Sequence, residues 1–515
     1  MHTVFEWPLA LQALTLSVPA VFAAGALATS PRAPLRAATA ASAVALALAL
    51  CLGASAAVTP DALPRGAALR LDLVTRAMLL LVTSLAVVIA RFSRSYLDGD
   101  PGAARYARAL LATLSAVTTL VVANHLLLLA AAWTATSVAL HQLLTFYDRP
   151  AALLAAHKKF LVSRLADACL LGAIALTHRC VGSLDLDAVY AWSATHAARS
   201  PAMQLAAGLF ALAACLKSAM LPFHGWLTQV MEAPTPVSAL LHAGVVNLGG
   251  LLMIRLAPVM THAPGAQALL VVVGMTTALI AALITTTRVS VKVALAWSTC
   301  AQMGFMLAQC GLGAWHLALL HLLAHSLYKA HAFLSAGGAV EAWRLGALSP
   351  ARAPVTLAAL ARGAAISLTV TAGALAVAAL AGRALPLEVA ASALLFALSL
   401  APSLGADRAL LLRAAGVAGM YFAWHALAAR ALPPAGAPSA LGWAFVAAGF
   451  TALFAVQSVL AARPRGGLAR ALHPWLFAGM HLDEAFTRIT FRAWPPRLRP
   501  HASDARVAVA ESLEA

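Results

Sequence analysis

The chain is a near-continuous series of long apolar runs, and that pattern decides most of what it can become. Runs fall at about 9–29, 36–58, 71–91, 107–123, 125–146, 159–177, 203–221, 236–258, 266–287, 293–312, 314–337, 354–382, 385–403, 407–431 and 440–461. A helix that crosses a bilayer needs about 20 mostly apolar residues, and most of these runs supply that length. The connections between them leave no room for a soluble domain. Composition agrees. Of the 515 residues 62% are hydrophobic and 10% charged, against roughly 45–50% and 25% in soluble domains. The expected fold class is an all-α polytopic membrane protein with about 13–15 transmembrane helices. Disordered chains, secreted disulfide scaffolds and large soluble enzymes are excluded.

The formal net charge of +17 would suggest nucleic acid in a soluble protein. Here the arginines cluster in short connections and in the last fifty or so residues, a pattern that sets topology and meets lipid headgroups. No nucleic-acid partner is expected. The six cysteines (51, 169, 180, 215, 300, 310) form no C-x-x-C pair and read as packing residues, so no metal site and no cofactor are expected. The opening MHTVFEWPLALQALTL lacks a basic region and reads as a first spanning helix, not as a cleaved signal.

Orientation follows from loop charges. Arg32, Arg36, Arg91, Arg94, Arg105, Arg108, Arg149, Lys158, Lys159 and Arg164 are assigned to the first, third and fifth connections. Only Arg65, Arg70, Arg179 and Arg199 fall to the second, fourth and sixth. The N-terminus is therefore expected outside.

Lysine usage is the most informative local fact. There are 30 arginines but five lysines, and Lys217, Lys292 and Lys329 lie in or at the ends of apolar runs. Arginine stays protonated, whereas a buried lysine can release its proton, so such a lysine is a candidate reversible proton site. A lysine that only snorkels or pairs with a carboxylate is the alternative; function is favoured for Lys217 and Lys329, and the two readings balance for Lys292.

The run LKSAMLPFHGWLTQVMEAPTPVSALLHAG holds Lys217, Pro222, His224, Glu232, Pro234, Pro236 and His242. Proline breaks a helix and frees carbonyls. Broken backbone at membrane depth persists only where protein or a wet cavity satisfies it, and such breaks form transporter sites. Further on, HLLAHSLYKAHAFLSAGG spaces His321, His325 and Lys329 four residues apart, which puts them on one helix face. That stripe suits a proton wire. His331 falls on another face.

These runs carry a resemblance. KSAMLPFHGWLTQVMEAPTPVSALLHAGVVNLGG, VKVALAWSTCAQMGFM and HSLYKAHAFLSAGG stand in the order of the signatures of the antiporter-like subunits of respiratory complex I and of Mrp cation/proton antiporters. The resemblance covers roughly residues 70–340. It implies an antiporter-like core with a Pro-broken helix and proton-carrying roles for Lys217, His242, His321, His325 and Lys329. Two departures stand out. Where that family has a glutamate after a tryptophan, AAAWTATSVALHQLLTF has Thr134, and Asp167, with Arg164 beside it, is the acidic residue that could compensate. After residue 340 no lysine remains, so a second half-channel looks degenerate.

RFSRSYLDGDPG, HSLYKAHAFLSAGGAVE and the ending LHPWLFAGMHLDEAFTRITFRAWP resemble one branch, the DabB membrane subunits of a bacterial inorganic-carbon accumulation complex. The resemblance implies a DabA-like partner, a soluble zinc protein resembling carbonic anhydrase, driven by protons or sodium ions that this chain conducts. The chain would be multi-pass in the bacterial inner membrane and not itself an enzyme. The expected organisation is N-terminal helices in 1–70, a translocation core in 71–340, further helices in 341–462 and a basic interfacial tail in 463–515. In that tail Trp475, Phe477, Leu482, Phe486, Ile489 and Phe491 are expected along one side of a short helix, either as a cap or as a docking surface. Lys292, Glu232, His224 and Thr134 are expected to support the core site. A complex I-type subunit, an Mrp-type antiporter and a membrane scaffold for a soluble enzyme are the alternatives.

Overall fold

The computed structural model describes residues 7–30, 32–57, 68–196, 199–348, 355–380, 387–404, 416, 419–420, 423 and 439–495. Arg65, the run 407–431 apart from four scattered positions, and the tail beyond residue 495 lie outside the described residues.

Backbone polar groups in hydrocarbon must be satisfied within the chain, and the described chain is built from helices. In order these are α1 (Trp7–Ala28), α2 (Pro34–Ala54), α3 (Leu73–Tyr96), α4 (Ala103–Val122), α5 (Leu126–Leu144), α6 (Pro150–Val181) and α7 (Leu186–His196). Then come α8 (Pro201–Lys217), α9 (Gly225–Gln229), α10 (Thr235–Ala243), α11 (Leu248–Arg255), α12 (Ala257–Met260), α13 (Pro264–Thr285), α14 (Val291–Gly311) and α15 (Trp315–Leu334). The rest are α16 (Ala339–Ala347), α17 (Leu357–Leu380), α18 (Leu387–Leu404), α19 (Ala440–Ala462), α20 (Gly467–Phe477) and α21 (Glu484–Ala493).

Among the described residues eleven segments are long and apolar enough to cross a membrane, with α10 and α11 forming one interrupted span. α15 matches them in length but carries five ionisable residues, His316, His321, His325, Lys329 and His331. α8 and α18 are apolar and shorter.

The two ends of the bundle are tied differently. At one end Asp72 caps α3, accepting from the Thr75 N–H at 2.8 Å, and pairs with both Arg70 and Arg255 at 2.7 Å. Arg70 also meets Asp187, in the first turn of α7, at 2.7 Å. Burial alone would push the Asp72 carboxyl up, but Arg255 and Arg70 outweigh it and hold this carboxyl well below the usual carboxylate range. Asn124, just before α5, donates to Asp187 at 3.0 Å and fixes α5 to the same cluster.

The other end is closed by the C-terminal segment. The tail does not form one helix with one apolar side, as the sequence suggested. It bends at Gly479–His481 between α20 and α21. Leu482 and Phe486 turn partly into the bundle, while Trp475, Phe477, Ile489 and Phe491 stay exposed. Trp494 stacks on His157 with centroids 4.0 Å apart, and Arg288 donates to the Phe477 carbonyl at 2.7 Å.

The main correction concerns Lys158, Lys159 and Arg164. They are not loop residues but belong to α6, and both lysines are buried. Of the other seven, Arg32 and Arg149 lie between helices, and Arg36, Arg91, Arg94, Arg105 and Arg108 lie near the ends of α2, α3 and α4. Lys158 is the latch of the C-terminal segment. Its ammonium donates to Asp483 at 2.5 Å, Thr487 at 2.6 Å and Gln229 at 2.9 Å. Gly225 sits so close that an added Cβ would lie 1.7 Å from an Asp483 carboxylate oxygen.

Removing one partner of a buried ion pair costs about 3–5 kcal/mol, because the other charge is left uncompensated. Asp483→Ala is therefore expected to lower the melting temperature in detergent and to speed tryptic cleavage at Arg465 and Arg470. Lys158→Met with Asp483→Leu is expected to regain most of the loss. Unchanged protease resistance in Asp483→Ala would mean that the latch does not hold the segment.

Candidate functional site

Two helix interruptions position the site. α8 ends at Lys217, and residues 218–224 run without helix until α9. The sequence announces this break through Pro222. The second interruption lies at Gly244–Asn247, between α10 and α11, and sequence reading missed it. Gly244 and Asn247 inside an apolar run were the available signal. The two interruptions meet, for the Ser218 hydroxyl donates to the Val246 carbonyl at 3.1 Å. α11 crosses here against α8, and a Cβ on Gly249 would lie 2.3 Å from Ser218 Oγ and 2.5 Å from the Ala214 carbonyl.

Lys217 is buried. Its ammonium donates to Ser137 Oγ at 2.6 Å and to the Trp133 carbonyl at 3.2 Å, and lies 4.4 Å from the centre of the Trp133 ring. Three neutral groups of α5 thus surround it. Thr134, half-buried on the same turn, stands where a carboxylate was looked for. Asp167 does not take that role by contact. Its carboxylate pairs with Arg164 at 2.8 Å, and among the described residues Lys217 has no carboxylate within 4.0 Å. Ser137 has a second lysine as well, since Lys159 donates to its carbonyl at 2.8 Å.

The stripe on α15 is real and has a matching polar ladder on α14. Lys329 donates to Ser298 Oγ at 2.6 Å and the Leu295 carbonyl at 3.2 Å. His325 Nδ1 lies 2.6 Å from Gln302 Oε1, and His321 Nδ1 lies 2.9 Å from Gln309 Oε1. The two helices run antiparallel, so rising positions on α14 meet falling positions on α15. Ser298, Gln302 and Gln309 were not singled out from the sequence. Their spacing of four and seven within WSTCAQMGFMLAQC was the signal.

His242 joins this cluster through its backbone. Its carbonyl lies 3.1 Å from His325 Nε2, while its ring meets Thr299 Oγ1 at 3.2 Å and stacks on Phe333 at 4.3 Å. The carbonyl accepts a hydrogen bond but does not carry a proton onward. The Nε2 of His242 is buried without a hydrogen-bond partner. His321 borders a cavity of about 420 Å³, also lined by Phe305, Gln309, Ser392, Phe450 and Gln457. His331 is exposed.

The remaining expected residues lie apart. Lys292 meets Thr235 Oγ1 at 2.9 Å and ties the start of α14 to the start of α10. Glu232 pairs with Arg149 at 2.6 Å in an exposed ion pair. His224 is buried between the Pro222 carbonyl at 3.2 Å and the Trp297 ring at 4.7 Å. Among the described residues no cluster of three or more His, Cys, Asp or Glu side chains has metal-holding geometry.

The close crossing of α8 and α11 yields a test remote from any titratable atom. Gly249→Val is expected to destabilise the protein by about 1–3 kcal/mol through overpacking, as it displaces Ser218 from Val246. Thermal unfolding in detergent reads this, and an unshifted melting temperature would refute the packing argument.

Comparisons with known proteins place these features. Residues 123–406 match the family described as NADH:quinone oxidoreductase/Mrp antiporter, TM, and residues 60–107 match NADH-ubiquinone oxidoreductase (complex I), chain 5 N-terminus. A Hydrogenovibrio crunogenus protein named probable inorganic carbon transporter subunit DabB is 51% identical over 279 residues, which are 54% of this chain and 54% of that protein. A Halothiobacillus neapolitanus protein named probable inorganic carbon transporter subunit DabB2 is 49% identical over 262 residues, 51% of this chain and 48% of that protein. The chain spans about half the length of the curated relatives it matches. Among solved structures, a chain of the Mrp complex from Dietzia sp. DQ12-45-1b is similar with a TM-score of 0.58 and 25% identity, over 98% of this chain and 59% of that one.

Proposed function

Because this chain belongs to the NADH:quinone oxidoreductase/Mrp antiporter transmembrane family, we propose that it is the ion-conducting membrane subunit of an inorganic-carbon uptake complex. Protons are the proposed ion, with sodium the alternative. The observation that carries the conduction reading is Lys217, buried at a helix break and held by Ser137 and Trp133 with no carboxylate within 4.0 Å among the described residues. An ammonium held only by neutral dipoles can lose its proton without abandoning a charged partner. His242, His325, Lys329 and His321 continue the path, with Ser298, Gln302 and Gln309 orienting them. The proposed organisation is N-terminal helices in 1–70, a translocation core in 71–340, further transmembrane helices in 341–462 and a basic tail in 463–515.

The carbon-uptake reading is supported by the 51% and 49% identity to relatives named as inorganic carbon transporter subunits. The proposed partner is a soluble, DabA-like zinc protein that hydrates carbon dioxide, and the proposed site of the pair is the bacterial inner membrane. Energetics permit the coupling. One charge falling through about 100 mV releases about 2.3 kcal/mol, and a tenfold bicarbonate excess needs about 1.4 kcal/mol. A complex I-type or Mrp-type antiporter is the second reading, favoured by the shared fold. The departure at Thr134 weighs against it, because the paired carboxylate is missing.

Lys217→Ala is expected to abolish growth at low carbon dioxide, to leave the protein in the membrane at normal levels, and to be rescued by high carbon dioxide. Unimpaired growth at low carbon dioxide would sink the conduction reading. Co-purification with a soluble zinc protein supports the carbon-uptake assembly, whereas co-purification with quinone oxidoreductase subunits overturns it.

A further inference from the structure

We propose that Lys159 and His141 form a second limb of the ion path, leading from the end of the bundle under the C-terminal segment to Lys217. The proposal rests on the conduction reading above and extends it to two residues that neither the motifs nor the α15 stripe include.

The argument starts from two adjacent lysines on α6 with opposite surroundings. Lys158 is held by the Asp483 carboxylate at 2.5 Å and by two further side chains. It is a structural cation. Lys159 is 2% exposed, and its ammonium meets the neutral carbonyl of Ser137 at 2.8 Å. Among the described residues no carboxylate lies within 4.0 Å of it. A buried cation in a membrane protein is costly and pairs with an acid, as Lys158 does, or with backbone carbonyls, and one with no acid beside it is a functional candidate by default.

Ser137 connects this residue to the site. Its carbonyl takes Lys159 and its hydroxyl takes Lys217, the latter at 2.6 Å. Lys159, Ser163 and Asp167 are spaced four apart on α6 and all are buried, which places them on one face. Asp167 pairs with Arg164 at 2.8 Å, and the opposite charges of both act on the two lysines, so they largely offset each other and neither lysine has a carboxylate within 4.0 Å among the described residues. One mobile proton between them is the arrangement that limits buried charge: it leaves Nζ of charged Lys159 and arrives on Nζ of neutral Lys217.

His141 extends the limb outward. It lies one turn beyond Ser137 on α5, its ring interacts with the Ala156 backbone and with the Lys159 charge, and among the described residues its Nδ1 is buried with no hydrogen-bond partner. Its ring centroid is 6.5 Å from that of His157 and 6.2 Å from that of Trp494, beneath the C-terminal segment. An imidazole so placed can take a proton from that end and pass it inward.

The test uses the full chain, purified with whatever proteins accompany it and reconstituted in vesicles carrying an internal pH dye. Lys159→Met keeps the stem and removes the charge, and Lys217→Ala is the reference. Lys159→Met is expected to cut potential-driven proton flux by about 100-fold or more, with yield and melting temperature unchanged. Lys159→Arg, which cannot release its proton, is expected to fail as well. Wild-type flux in Lys159→Met beside a dead Lys217→Ala overturns the limb and leaves the conduction reading standing. Wild-type flux in Lys217→Ala overturns the conduction reading itself. If Lys159→Met does not accumulate, His141→Gln decides: slowed flux with an altered pH profile supports the limb, and an unaltered rate and profile overturn it.

Discussion

A polar group inside a bilayer must find its partner within the chain, and in this protein that constraint is met at one point where two broken helices lock together. α8 stops at Lys217 and the span of α10 and α11 opens at Gly244–Asn247. Each interruption frees backbone groups that no lipid can satisfy. The Ser218–Val246 hydrogen bond and the backbone approach at Gly249 make each break part of the support for the other. Asn247 extends the support by donating to Ser326 at 2.8 Å on the helix that bears the histidine stripe. Lys217, His242 and α15 are therefore positioned by one junction.

Around that junction, pairing separates cations that hold the structure from cations suited to carry charge. Arg255, Arg70 and Lys158 all touch carboxylates. They stand at the two ends of the bundle, where they fasten α3, α11 and the C-terminal segment. Lys217 and Lys329 touch hydroxyls and carbonyls instead. In a low-dielectric interior an acid close by fixes an ammonium in its charged state, whereas neutral dipoles leave both protonation states accessible. This contrast also gives Thr134 a physical meaning. With a glutamate there Lys217 would have a fixed counter-charge on α5; with threonine, serine and the indole it does not.

Much of this was legible in the sequence, and the exceptions have physical causes. The spans followed from apolar length, the break after Lys217 from Pro222, and the stripe of His321, His325 and Lys329 from its period of four. Lys158 and Lys159 were misread because two adjacent lysines beside Arg149 look like a loop, and nothing local shows that Asp483, over three hundred residues away, buries one of them. The ladder on α14 was overlooked for a related reason. Serine and glutamine in an apolar helix attract little notice until a partner helix brings His325 to Gln302. The C-terminal segment was expected to sort its apolar residues onto one side, but Phe486 packs against Phe223 at 5.7 Å while Phe491, five residues on along α21 and so about 140° around the helix, faces out.

The connection between the Lys217 group and the stripe is the step that most constrains how such a chain can work. His325 reaches His242 through a carbonyl, and among the described residues no hydrogen bond joins Lys217 to His242. A static chain of bonds therefore does not run through the molecule. In the proposed function the gap is an asset, since a path that conducted at all times would dissipate the gradient without driving a partner. Closing it needs water or a rotamer change beside the junction of the two broken helices. The C-terminal segment can bias that step, because its Asp483 holds Lys158 and Gln229, on the helix next to Lys159 and on the short helix that follows the break after Lys217.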